Sequence, residues 1–142
     1  MISLNDLNDI AKKAGEAILK LYADPAAIGA IEKSDGSPVT QADYAADAII
    51  TDLLQTQSAY PVLSEENPIP YEIRKSWNRF WLVDPLDGTK DFIARTGEFT
   101  VNIALIENGF PIMGVVYIPV EDTLYFAEKG KGAYKNGQPI YN

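Results

Sequence analysis

The chain has 142 residues, 46% of them hydrophobic, enough for about one globular core with little chain to spare. Twenty Asp and Glu against twelve Lys and Arg leave a net charge of −8, which repels phosphate backbones and anionic membrane surfaces and argues against a nucleic-acid polymer as partner. Cysteine and histidine are both absent, so disulfide frameworks, Ser-His-Asp or cysteine-nucleophile catalysis and the usual zinc ligand sets are excluded; chemistry must rest on carboxylates, hydroxyls, lysines, backbone groups or a hard metal such as Mg²⁺, Mn²⁺ or Ca²⁺.

The opening "MISLNDLNDI" has no basic segment leading into an apolar one, and no apolar run approaches the ~18 residues of a membrane span, so there is no transmembrane segment and cytoplasmic residence is expected. Leu4, Leu7, Ala11, Ala14, Ile18 and Leu21 recur at steps of three and four, which predicts an amphipathic helix over residues 3–22, ended by Pro25 and Gly29. "KSDGSPVT" is dense in turn formers and reads as a surface loop or loose hairpin. A second helix follows, with Thr40 and Asp43 in a capping arrangement and Ala45, Ala46, Ile49, Ile50, Leu53 and Leu54 along one side.

From Tyr60 the period turns extended. "YPVLS" reads as a strand stopping at Glu65 and Glu66, and "RFWLVD" as another stopping at Asp84. "FTVNIALI" and "PIMGVVYI" flank Asn108-Gly109, a tight hairpin turn; "TLYFAEK" and "GAYK" extend the sheet, and Asn136-Gly137 signals one more reversal. The tail "QPIYN" is expected to be too short for a well-paired return strand, so the sequence reads as cut short. The predicted fold class is α+β, with two helices packed on a largely antiparallel sheet.

Two strands thus deliver acids at their C-terminal ends: Glu65 and Glu66 from one, Asp84 and Asp87 from the other. If the strands are near each other these carboxylates converge, and their mutual repulsion calls for a cation. In "DPLDGT", Pro85 has no N–H, so the chain is expected to leave the sheet sharply and turn the Leu86 carbonyl inward. Gly88 permits close backbone approach. If "TKDFI" begins a helix, the N–H groups of Gly88 and Thr89 can hold a phosphate.

Each element taken singly also has a plainer reading. Asp-Pro and Asp-Gly are common turn pairs, "SEE" suits a solvated edge, Thr40 and Asp43 suit a helix cap, Lys33 suits the surface, and Trp77 and Trp81 suit core or rim packing. The spacing does not fit an EF-hand loop, no Gly-Lys-Ser/Thr phosphate loop is present, and the two aspartates are three apart rather than two.

Taken together and in order, "DGSPVTQAD", "VLSEEN" and "WLVDPLDGTKDF" resemble the inositol monophosphatase superfamily of Mg²⁺-dependent, lithium-sensitive phosphatases. "PVLSEE", "DPLDGTKDF" and "GEFTVNIALI" resemble its 3'(2'),5'-bisphosphate nucleotidase branch most. The resemblance implies the N-terminal half of a layered αβαβα fold, with two or more Mg²⁺ ions held by Glu65, Asp84, Asp87 and the Leu86 carbonyl. It implies that Thr89 orients the attacking water with Asp43 as its partner and Glu65 takes part in catalysis. Glu65, Leu86, Asp87, Gly88 and Thr89 would line the substrate site, Gly88 and Thr89 through backbone N–H groups, with Lys33 and Glu66 as further candidates. The implied reaction is hydrolysis of the 3'-phosphate of adenosine 3',5'-bisphosphate; inositol monophosphate or a sugar bisphosphate, and a non-catalytic metal-binding fragment, are the alternatives. Family members continue through a second α/β domain with a Trp-Asp motif, absent here. A homodimer and peripheral contact with the inner membrane are left open.

Overall fold

The computed structural model describes residues 2–24, 31–33 and 38–141. Helix α1 (Leu4–Tyr22) starts at Ser3, whose side chain and that of Asp6 satisfy each other's backbone N–H in a capping box. Its stripe of Leu7, Ile10, Ala11, Ala14 and Ile18 is buried. Pro25 and Gly29, expected to end it, lie outside the described residues, as do 34–37 of the predicted loop; on either side of that gap β1 (Ile31–Glu32) and β2 (Pro38–Val39) pair antiparallel. Helix α2 (Gln41–Gln57) is capped by Thr40 and Asp43 as expected and buries Ala46, Ile50 and Leu54.

The remaining strands form one seven-stranded sheet in chain order: β3 (Val62–Ser64), β4 (Arg79–Asp87), β5 (Thr100–Glu107), β6 (Phe110–Ile118), β7 (Thr123–Glu128), β8 (Gly132–Lys135) and β9 (Gln138–Ile140). All neighbours are antiparallel except β3 and β4. Helices α1 and α2 pack against one face, where Trp81, Val83, Val101, Ile103 and Val115 join the helix stripes in a single core. Trp81 is fully inside, its Nε1 donating to Ser58 Oγ at 3.1 Å, while Trp77 sits half-buried at the rim beside Phe80. Asn108-Gly109 and Asn136-Gly137 both take positive φ, the backbone that their two-residue hairpin turns require.

One expectation is extended and two are corrected. Two short helices, α3 (Tyr71–Arg74) and α4 (Thr89–Ala94), join the two predicted long ones; α4 answers the conditional reading of "TKDFI", whereas a single turn such as α3 has too few positions to show a period. The tail does return: β9 pairs with β8 over three residues, because the tight turn sets the register at once. Nor does the chain leave the sheet at Pro85. Pairing runs Asp84↔Asn102 and then Asp87↔Thr100, three steps on β4 against two on β5, so one extra residue is bulged out and the strand rejoins its partner. A proline is tolerated there because a bulge already forgoes ladder hydrogen bonds.

Candidate metal and phosphate site

The bulge decides where the two aspartates point. In a regular strand residues three apart face opposite sides; one inserted residue restores the phase, so Asp84 and Asp87 both lie on the face away from the helices, across from Asn102 and Thr100. Buried Trp81 and Val83 alternate with the more exposed Leu82 and Asp84, and beyond the bulge Leu86 is buried while Asp87 is exposed.

The parallel pairing of β3 with β4 supplies the second acidic segment. Parallel strands run the same way and Ser64 pairs with Val83, so Glu65, whose N–H donates to Val83 O at 3.0 Å, arrives beside Asp84. The next turn is pinned by Ser64, which accepts from the Glu66 N–H at 3.2 Å and donates to Asp47 of α2. Glu66 is turned inward, its side chain only 3% exposed; it takes an ion pair from Lys33, and its Oε2 has no hydrogen-bond partner among the described residues. Loss of hydration pushes Glu66 above the usual carboxylate range, against the opposing pull of Lys33.

A third segment comes from the start of α2. Asp43 is 2% exposed and accepts at both oxygens: Oδ2 from the Thr40 N–H at 2.9 Å and the Thr40 hydroxyl at 2.7 Å, and Oδ1 from the Thr89 hydroxyl at 2.8 Å. The same carboxylate caps the helix and grips the threonine that begins α4. Gly88, just before it, has φ +96, and a Cβ there would stand 3.0 Å from Glu98 O, so only glycine fits the turn. The Leu86 carbonyl lies 3.4 Å from the Thr89 hydroxyl.

All of Lys33, Asp43, Glu65, Glu66, Asp84, Leu86, Asp87, Gly88 and Thr89 line one cavity of about 320 Å³, together with Lys90 and Asp91. Each residue proposed from the sequence for the metal and substrate site therefore lines this cavity. Among the described residues no three acidic side chains close on a single point as a finished metal cage. Asp87 gives one oxygen to Asn102 Nδ2 at 3.1 Å and Glu66 is taken by Lys33, whereas Glu65 and Asp84 make no side-chain hydrogen bond or ion pair among the described residues. The electrostatics record the crowding. Asp84 is pushed up to about 7, first by burial and then by the negative charges of Asp87, Glu65, Glu66 and Asp43. Hard oxygen donors of one sign around a shared cavity, with a carbonyl among them, are the donor set that suits Mg²⁺ or Ca²⁺.

One contact had no sequence signal: Asn102, inside "FTVNIALI", reads as an ordinary outward strand position, and only its pairing opposite Asp84 brings it to the acids. Beside the acid cavity, and sharing Glu65 and Asp84 with it, an open groove of about 900 Å³ runs over the uncovered sheet face past Leu82, Ala104, Val116 and Tyr125.

The inositol monophosphatase family model matches residues 4–142. The chain belongs to the inositol monophosphatase family. It is 53% identical over 129 residues to the 3'(2'),5'-bisphosphate nucleotidase CysQ of Escherichia coli K12, a match spanning 90% of this chain and 52% of that protein. The crystal structure of CysQ from Bacteroides thetaiotaomicron, itself described as a bacterial member of the family, superposes with a TM-score of 0.81 at 52% identity, covering 93% of this chain and 48% of that one. The extragenic suppressor protein suhB of Bartonella henselae matches with a TM-score of 0.83 at 32% identity, over 93% of this chain and 51% of that one. The chain spans about half the length of the curated relatives it matches.

Proposed function

We propose that this chain is the metal-binding part of a Mg²⁺-dependent phosphomonoesterase that hydrolyses the 3'-phosphate of adenosine 3',5'-bisphosphate to give AMP. The observation that carries this reading is the Thr89–Asp43 pair inside the acid-lined cavity. A site that only stored a cation would have no use for a hydroxyl held at 2.8 Å beside it. Relatives named as 3'(2'),5'-bisphosphate nucleotidases support the substrate class.

Glu65, Asp84, Asp87 and the Leu86 carbonyl would hold the metal, which when bound lowers the pKa of water, offsets the leaving oxygen's charge and bridges a net-negative protein to an anionic substrate. The chain's own groups position the reactants. Because the Thr89 hydroxyl spends its proton on Asp43 Oδ1, its lone pairs are left to accept from a water, orienting that water's oxygen toward phosphorus. Asp43 is held at its other oxygen by Thr40, which fixes Oδ1 where it accepts the Thr89 hydroxyl. The N–H groups of Gly88 and Thr89 serve the phosphate as local donors; α4, at six residues, adds little macrodipole. Glu65, with no competing partner among the described residues, is the more available glutamate, and Glu66 anchors Lys33 beside the site.

The same proposal places a second α/β domain, cytoplasmic residence and any homodimer in the whole protein, since this chain accounts for about half of its relatives' length. The test is phosphate release from adenosine 3',5'-bisphosphate with and without Mg²⁺, by this chain and by a version extended to the relatives' length. No Mg²⁺-dependent release by the extended protein would overturn the reading.

A further inference from the structure

Asn102 joins the acid site to β5, which lends no carboxylate to that cavity. It stands on β5 directly across from Asp84, its Nδ2 donates to Asp87 Oδ2 at 3.1 Å, and its Oδ1 accepts the Thr100 hydroxyl at 2.9 Å. Chemistry fixes the direction of this line. An ionised carboxylate only accepts, so the amide must turn its NH₂ group to Asp87; the oxygen then faces Thr100, whose hydroxyl can either donate or accept and here donates. Thr100, Asn102 and Asp87 are thus bonded in sequence across two strands, at the point where the bulge interrupts the ladder.

We propose that Asn102 is a positioning residue for the metal site, holding Asp87 Oδ2 so that Oδ1 is the oxygen Asp87 presents to the cation, with Thr100 holding Asn102 in turn. This rests on the metal reading given above. An amide suits the post better than lysine or arginine would. A cation there would grip Asp87 more strongly, but it would neutralise the acids and compete with the metal, whereas an amide donates without net charge. Partners of this kind, one bond removed from a metal, set the ligand's orientation and so its affinity.

The probe is Mn²⁺, its binding to this chain read from the electron paramagnetic resonance of the free ion, with each variant's melting temperature taken in chelator. Asn102→Ala should weaken Mn²⁺ binding by about 10–100-fold while the chelator melt stays within about 2 °C of the parent. Thr100→Val, which keeps the shape and removes the hydroxyl, should weaken binding by a smaller factor, and Thr100→Ser should restore it. Adding Thr100→Val to Asn102→Ala should cost nothing more, because the line is already broken. Should Asn102→Ala fail to fold, the Thr100 pair decides. Parental Mn²⁺ affinity in folded Asn102→Ala, or in both Thr100 variants, would overturn the positioning role and leave the metal reading standing. Loss of affinity only in step with loss of the chelator melt, unrescued by Thr100→Ser, would make the line a staple for the bulge and overturn it too. No Mn²⁺ binding by the parent at millimolar ion would overturn the metal reading itself, and this inference with it.

Discussion

On the helix-covered face of the sheet, Trp81, Val83, Val101, Ile103 and Val115 are sealed beneath α1 and α2; on the other face the intervening positions Leu82, Asp84, Asn102 and Val116 look outward, with Leu82 42% and Val116 40% exposed. Both faces are written in alternate residues of the same strands. The covered face is uniform and needs only shape and apolar area, so its residue types can be exchanged among hydrophobes of similar volume. The open face mixes apolar side chains with acids that repel one another, which is favourable only if something of opposite charge joins them.

The largest test of that contrast is to remove an acid from the open face. Asp84→Asn and Asp87→Asn should each lower the proposed phosphatase activity of the extended protein by roughly 10³-fold, equivalent to several kcal/mol of lost charge stabilisation. Glu66→Gln should cost less than about tenfold, since Glu66 is committed to Lys33. Equal losses at Glu65 and Glu66, read from kcat/KM, would show that the wrong glutamate has been assigned to the cation. Next in size is the hydroxyl. Thr89→Val should reduce kcat by about 10²–10⁴-fold, with Thr89→Ser recovering most of it; a fall in Mg²⁺ affinity instead of kcat would move Thr89 from water positioning to metal binding.

The covered face should answer differently. A Cβ on Gly15 of α1 would stand 2.4 Å from Tyr117 Cε2, and that ring is tethered by its hydroxyl donating to Asp122 Oδ1 at 2.6 Å. Gly15→Ala should therefore destabilise the fold by about 1–3 kcal/mol, despite alanine's better helix propensity, and leave metal affinity unchanged. Denaturant titration and Mn²⁺ binding on the same sample would separate the two.

The smallest effect concerns the protein in chelator. Asp84 titrates near 7 when folded against 3.8 as a free side chain, so between those values the native state keeps a proton that the unfolded chain has released. The contribution of Asp84 to stability then falls as pH rises from about 4 to about 7, and stops falling above that. Asp84→Asn should flatten this window and raise the melting temperature at pH 7 by a few degrees or roughly that scale, the reverse of its effect on activity. A chelator melt that follows the same pH curve in both proteins would show that the acids are not crowded.

Much of this was legible in one dimension. Helix stripes such as Leu7-Ala11-Ala14-Ile18 and the Asn-Gly turns are local, so period and turn chemistry reveal them without a partner. The acids at the strand ends were also visible, while the roles of Thr89 and of the individual ligands came from the family resemblance of the ordered motifs. Their convergence was expected from the resemblance and on condition that the two strands were neighbours, but its geometry was not legible. Asp84 and Asp87, three apart, belong by period on opposite faces, and only a bulge created by pairing with β5 turns them to the same side. Glu65 reaches them because β3 runs parallel to β4, and Asn102 because its register places it across from Asp84. Sequence alone determined which groups could act. Strand pairing, a long-range choice made by backbone hydrogen bonds and by burial of the other face, decided that they line one cavity.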